Sequence, residues 1–179
     1  MSIVDEVAAY VKEIYPEADF PHIAEVVAYG QQLARETGAD EEIVTIAAYF
    51  HDISRVTLGP EEHNVKSAEM AREWLSQHGY PEERIERVMV AIIAHMRAVT
   101  GPEQALVPIE GRILYDADKI SRAQGLGLIG VLVHLGAQTN WEGLTYTQLA
   151  AAIHRGRALT EEAYRTLYTD AARELAGPG

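Results

Sequence analysis

From Ile43 to Ile53 the chain reads Ile-Val-Thr-Ile-Ala-Ala-Tyr-Phe-His-Asp-Ile, with Asp52 its one acid, no Lys or Arg, and neither Gly nor Pro. A segment apolar on nearly every side reads as a helix enclosed by other helices, so this stretch predicts the central helix of an all-helical core. A carboxylate in that position is costly to bury unless charge or hydrogen bonds offset the loss of water. The neighbouring His51 suggests one such compensation, because imidazole and carboxylate are both good ligands for a borderline metal ion. Successive helical side chains diverge by about 100°, so the pair can share an ion only if it nests in the angle between them. The alternative is an Asp that caps a helix beside a core histidine.

The flanking sequence predicts further helices and no sheet. Ile3, Val7, Val11 and Ile14 recur at helical spacing over 2–14, and Tyr15-Pro16 ends that run. Pro21 suits the opening of a second helix that carries Ile23, Val26, Val27, Gly30 and Leu33 inward and stops at Gly38. His22 shares that inward side, and Gly30 marks a close approach of two helices. Asp40 caps the central helix, with Glu41 and Glu42 in its first turn. A loop from Arg55 to Pro60 follows, then a helix over 61–77 with Val65, Ala68, Ala71 and Leu75 in period. Gly79 ends it and Pro81 starts the next, whose Ile85, Val88, Ile92 and His95 form one stripe. A second loop spans Arg97 to Leu106, and a helix over 109–123 carries Ile113, Ala117, Asp118 and Ile120. Gly125, Gly127 and Gly130 then read as a thin helix start ahead of the apolar run Leu126–Leu135, and two last helices are expected over about 146–155 and 160–175, the second capped by Thr160. The expectation is one all-α domain over 1–179 of about eight or nine helices, with its motifs within 20–135 and the helices of 136–179 packed against them.

Charge and composition exclude several function classes. A net charge of −12 argues against a broad nucleic-acid surface. It does not argue against a small anionic substrate, because a metal can supply local positive charge. The absence of cysteine removes disulfides, thiol nucleophiles and thiolate metal sites. No apolar run approaches the ~18 residues of a membrane span. The first residues, with Asp5 and Glu6, do not look like a signal peptide. A cytoplasmic protein without a membrane partner is expected, and a homodimer is compatible with this composition.

Of the seven histidines, His78 and His154 are expected at the surface and His134 in an apolar helix. His22, His51, His63 and His95 each lie on an inward side or at the edge of a loop. With Asp52 and Asp118 in inward-facing helical contexts, they form a candidate metal-binding set.

The order of these residues resembles the HD phosphohydrolase superfamily, whose signature is a single His, a His-Asp doublet and a distant Asp. The matching positions are His22 in Phe20-Pro21-His22-Ile23, the doublet His51-Asp52, and Asp118 in Asp116-Ala117-Asp118-Lys119. His63, ahead of Ser67-Ala68, and the helix-ending Ile92-Ile93-Ala94-His95 are also similar to family phrases. The resemblance implies an all-helical fold, with His22, His51, Asp52 and Asp118 as metal ligands. It further implies one or two divalent transition ions (Mn, Fe, Co, Ni or Zn, with Mg less suited), and Asp52, His63 and His95 in catalysis. His63 and His95 would hold either a second metal or the substrate phosphate, with phosphate favoured. Arg55 and Lys66 would flank the mouth as substrate-binding cations. The implied activity is hydrolysis of a nucleotide or another small phosphate ester by metal-activated water. Two alternatives stand beside it, an oxygenase with two irons in the same frame and a regulatory metal-binding module. The chain departs from the usual pattern at Glu25, where another polar residue or Arg is common, and at Ile120-Ser121, where Leu-Asp is common. The interval from His51 to His63 is also short for the two-metal branches, so substrate class and metal count stay open.

Overall fold

The computed structural model of the chain describes residues 2–17, 20–96, 99, 101–124, 154, 158, 161, 162 and 164–177. These residues form an all-α bundle. Its helices are α1 (Ile3–Ile14), α2 (Phe20–Thr37), α3 (Glu41–Phe50), α4 (Ile53–Thr57), α5 (His63–Gln77), α6 (Glu82–Ala94), α7 (Ile109–Gln124) and α8 (Asp170–Ala176), with a 3-10 turn over Gly101–Leu106. Among the described residues no helix is long and apolar enough to cross a membrane.

Helix α3 is the centre of the bundle. It packs against α1, α2, α5, α6 and α7, and Ile43, Val44, Thr45, Ile46, Ala47, Ala48 and Phe50 are all buried. Asp40 caps it as predicted, its carboxylate accepting the Ile43 N–H at 3.2 Å. Gly30 lets α2 lie close: a methyl group there would come within 2.9 Å of Val44 Cγ1. Gly111 does the same for α7 against α6, where a methyl group would meet Ala94 Cβ at 2.9 Å.

Three expectations change. The helix predicted through Ile53 stops at Phe50: Asp52 takes φ −115° and ψ 10°, and the short helix α4 replaces the first part of the expected loop. This break turns His51 and Asp52 away from the single course that an unbroken helix would have imposed. Val65 is exposed, and α5 buries His63, Ser67, Ala68, Ala71, Trp74 and Leu75 instead. The final helix does not run through 160–175. It is interrupted over 167–169 and restarts behind Thr169. The cause is Asp116 on α7, fully buried, which accepts the Tyr168 N–H at 2.7 Å, the Thr169 N–H at 2.9 Å and the Thr169 hydroxyl at 2.8 Å. Those backbone donors go to a carboxylate and not to a helical ladder. The expected helix over 146–155, all but His154, lies outside the described residues, as do Gly125, Gly127, Gly130, Leu126–Leu135 with His134, and Thr160. His78 and His154 are exposed, as expected.

Candidate metal centre

The site forms where the C-terminal ends of α3 and α6 and the N-terminal ends of α2 and α5 meet the flank of α7. His51 is the residue that closes α3, and His95 closes α6. Each ring folds back on its own helix, placing Nδ1 2.7 Å from the Ala48 carbonyl for His51 and 2.5 Å from the Ile92 carbonyl for His95. His63 opens α5 with Nδ1 3.0 Å from the Pro60 carbonyl. A carbonyl can only accept, so Nδ1 carries the proton in all three rings, and a neutral ring then presents a bare Nε2 lone pair. His22, in the first turn of α2, sets Nδ1 2.9 Å from Ser121 Oγ.

The four Nε2 atoms converge on two carboxylates. His22 Nε2 and His51 Nε2 lie 3.3 and 3.8 Å from Asp118 Oδ1. His63 Nε2 and His95 Nε2 lie 3.2 and 3.7 Å from Asp52 Oδ1. Asp52 Oδ2 is 3.9 Å from His51 Nε2, which puts Asp52 between the two groups. The donors thus form two sets able to hold one or two divalent transition ions, His22–His51–Asp118 and Asp52–His63–His95. His51, Asp118, Asp52 and His95 are almost wholly buried, yet His51 Nε2, His95 Nε2, Asp52 Oδ1 and Asp118 Oδ1 have no hydrogen-bond partner. Buried polar atoms are rarely left so. A cation between lone pair and carboxylate removes the mismatch, so the residues fit a metal.

Electrostatics support that fit. Burial pushes the His51 imidazole down to about 4, despite the nearby Asp52 and Asp118, so the ring is neutral and ready to ligate at physiological pH. Burial works to raise both carboxyls. It is outweighed at Asp118 chiefly by the Arg122 guanidinium, with Lys119 beside it, and at Asp52 by its histidine neighbours whenever they carry a second proton and by Arg122, so both acids stay ionised well below the usual carboxylate range.

Arg122 was not singled out from the sequence. Its Nη2 donates to Asp52 Oδ2 at 3.0 Å, and its Nε lies 2.7 Å from Asp118 Oδ1 without hydrogen-bond alignment. It thereby joins the two carboxylates. The available signal was its place four residues after Asp118, on the same side of a helix. Lys119 Nζ donates to Asp118 Oδ2 at 3.1 Å. Arg55, expected at the mouth, is part-exposed and donates to Asp52 Oδ2 at 3.0 Å. Lys66 is half-buried and makes no ion pair among the described residues, so the structure does not bring it to the carboxylates.

The HD-domain family description matches residues 20–123 of the chain. Bacillus subtilis YpgQ, solved in complex with ADP, superposes with a TM-score of 0.73 at 24% identity, over 97% of this chain and 85% of that one. An HD-superfamily hydrolase from Bacillus thuringiensis gives 0.71 at 19%, over 97% and 86%. The Lin1889 protein of Listeria innocua gives 0.68 at 19%, over 98% and 88%. No curated protein matches. The chain belongs to the HD-domain family. Its fold, family and donor sets are those of a metal-dependent phosphohydrolase.

Proposed function

We propose that this HD-domain chain hydrolyses the phosphate ester or anhydride of a nucleotide, or of a similarly small phosphorylated compound. The observation that carries the reading is the pair of donor sets whose buried His51 Nε2, His95 Nε2, Asp52 Oδ1 and Asp118 Oδ1 lack partners. In this reading His22, His51 and Asp118 hold one ion, Asp52 with His63 and His95 offers the second place, and Asp52 reaches toward both. When bound, a divalent ion supplies Lewis acidity toward a phosphoryl oxygen and makes water a stronger acid. The ADP held by the Bacillus subtilis relative favours a nucleotide.

The protein's own cations suit the remaining tasks. Arg55 and Arg122 share Asp52 Oδ2, each at 3.0 Å. Either guanidinium can turn onto phosphate oxygens while the other stays on Asp52, so substrate capture leaves no buried carboxylate without a counter-charge. Lys119, on the far oxygen of Asp118, keeps that ligand ionised. Lys66 keeps the role of an outer phosphate contact. His63, 10% exposed against 1% for His95, is the histidine better placed to move a proton to or from substrate.

The test is elemental analysis of purified protein alongside a panel of nucleoside mono-, di- and triphosphates, sugar phosphates and an aromatic phosphate ester. Release of phosphate from at least one of these by metal-loaded protein, lost on chelation and regained on adding back the ion, is expected. A fully loaded protein that hydrolyses none of them would overturn the reading. A second reading has one observation in its favour: two sets of donors, six side chains in all, suit an oxygenase with two irons. Substrate-dependent oxygen uptake by the iron-loaded protein would select it.

A further inference from the structure

Three of the four site histidines are oriented by backbone carbonyls of their own segment, at Ala48, Pro60 and Ile92. His22 is oriented by side chains. Ser121, fully buried on α7, donates its hydroxyl to Glu25 Oε2 at 2.8 Å, and His22 Nδ1 lies 2.9 Å from the same Oγ. A serine hydroxyl has one proton, and an ionised carboxylate only accepts. That proton is therefore committed to Glu25, and Nδ1 must carry its own proton and donate it to Oγ. The consequence is a bare Nε2 lone pair, 3.3 Å from Asp118 Oδ1. Glu25 follows His22 by three residues on α2, and Ser121 follows Asp118 by three on α7, so the contact also locks the two ligand-bearing helices in register.

We propose that Glu25 and Ser121 form a two-step relay that fixes the tautomer and direction of His22 for a divalent cation. Both are positioning residues. The inference rests on the metal-centre reading above but not on the substrate. A carboxylate acting on a ligating histidine normally touches it directly and is worth roughly 10–100-fold in metal affinity. Here the charge sits one hydroxyl further away, and the hydroxyl transmits it. Substituting Glu25 by Gln removes the charge and supplies an amide N–H that can donate to Oγ. The Ser121 proton is then released to seek Nδ1, and the wrong tautomer becomes accessible.

The experiment is calorimetric titration of Mn2+ into the chelator-stripped full chain. Wild type is compared with Glu25→Gln, Ser121→Ala, their double variant, and Ser121→Asp in the Glu25→Gln background. Each single substitution should weaken the binding step that is lost in His22→Ala by about 10-fold. The double variant should be no worse than either single one, because the two residues act in series. Ser121→Asp with Glu25→Gln should recover affinity by placing a carboxylate directly on Nδ1. Adding Glu25→Gln to His22→Ala should change nothing further. A merely structural contact would lower the melting temperature of the stripped protein without changing affinity per folded molecule, and that result would overturn the proposal. Effects that multiply in the double variant would also overturn it. Should Ser121→Ala fail to fold, the half-buried and isosteric Glu25→Gln decides alone. If wild type takes up no Mn2+, the metal reading and the relay fall together; if wild type binds and Glu25→Gln binds equally well, the relay alone falls.

Discussion

The two ends of α3 use the same kinds of residue for opposite purposes. At its N-terminal end Asp40 accepts from the Ile43 N–H at 3.2 Å, from Arg84 at 3.0 Å and from Arg87 at 3.2 Å. Glu42 accepts from Tyr80 at 2.6 Å and from Arg84 at 2.9 Å, and Glu110 accepts from Arg87 at 2.6 Å. Asp40 and Glu42 are paired at a partly open surface, where a missed contact can be made up by water, and the buried Glu110 is closed by Arg87. At the C-terminal end His51, Asp52, His95 and Asp118 are more deeply buried, yet each leaves one polar atom facing another without a hydrogen bond. Charge density alone does not distinguish a clamp from a site. The distinguishing mark is what the charges are left wanting: the Asp40 end is complete in itself, and the His51 end leaves two donor sets that a cation would complete.

The most severe way to break this contrast is Asp118→Ala. It should remove the ion held with His22 and His51 and lower turnover by more than the roughly 100-fold expected for an outer partner of a ligand. Elemental analysis with steady-state kinetics checks it, and unchanged metal content would remove Asp118 from the ligands. Next in size is His95→Gln, which decides what the second donor set holds. Metal content falling from two ions toward one makes His95 a ligand. One ion retained with turnover reduced makes it a phosphate contact acting in the transition state. Metal and turnover both unchanged would take it out of the site.

The fold was legible because α3 is apolar on nearly every side and because Gly38, Gly79 and Asp40 punctuate the helices where local chemistry requires it. The ordered set His22, His51-Asp52, His63, His95 and Asp118 was legible too, and the structure brings all six together. Their partition was not. An unbroken helix through Ile53 would have kept Asp52 on its course, and neither Gly nor Pro in the sequence marks the break after Phe50. Arg122 was hidden in plain helical spacing, since an arginine on a helix is ordinarily a solvated charge. Glu25 and Ser121 stood out singly as departures from the family pattern, but their contact joins residues 96 positions apart in the chain.

Metal depletion sharpens the comparison from the stability side. An ion that binds the folded chain and not the unfolded one stabilises it by about 2.7 kcal/mol at 100 times its dissociation constant. For a chain of this size that corresponds to a melting temperature about 5–10 °C higher. Chelation should abolish the increment in wild type and in Asp40→Ala, and it should have little effect on Asp118→Ala. Differential scanning calorimetry with and without Mn2+ measures it. An equal increment in Asp118→Ala would place the stabilising ion elsewhere.

The smallest expected effect is at the clamp, and it separates the two ends most cleanly. Asp40→Ala removes a helix cap worth about 1 kcal/mol, together with ion pairs to Arg84 and Arg87 that add little because they are partly exposed. Metal content and turnover per folded molecule should be unchanged, since no atom of the clamp reaches the donor sets. The pH dependence follows from the depressed ionisation of Asp40. Burial acts to raise it, but the hydrogen bonds from Arg84 and the Ile43 N–H outweigh that and hold it below its usual 3.8. A carboxyl depressed in the folded state binds fewer protons there than in the unfolded chain, so its contribution is complete above the unfolded value and fades as pH falls through the folded one. The difference in stability between wild type and Asp40→Ala should therefore be flat from about pH 5 to 8 and shrink below about pH 4. Urea unfolding of both proteins across that range, in the presence of chelator so that the metal centre is silent, measures it. A difference that instead varied near neutrality, or that vanished on chelation, would mean that the clamp and the metal centre are one coupled device and that the contrast between the two ends of α3 does not hold.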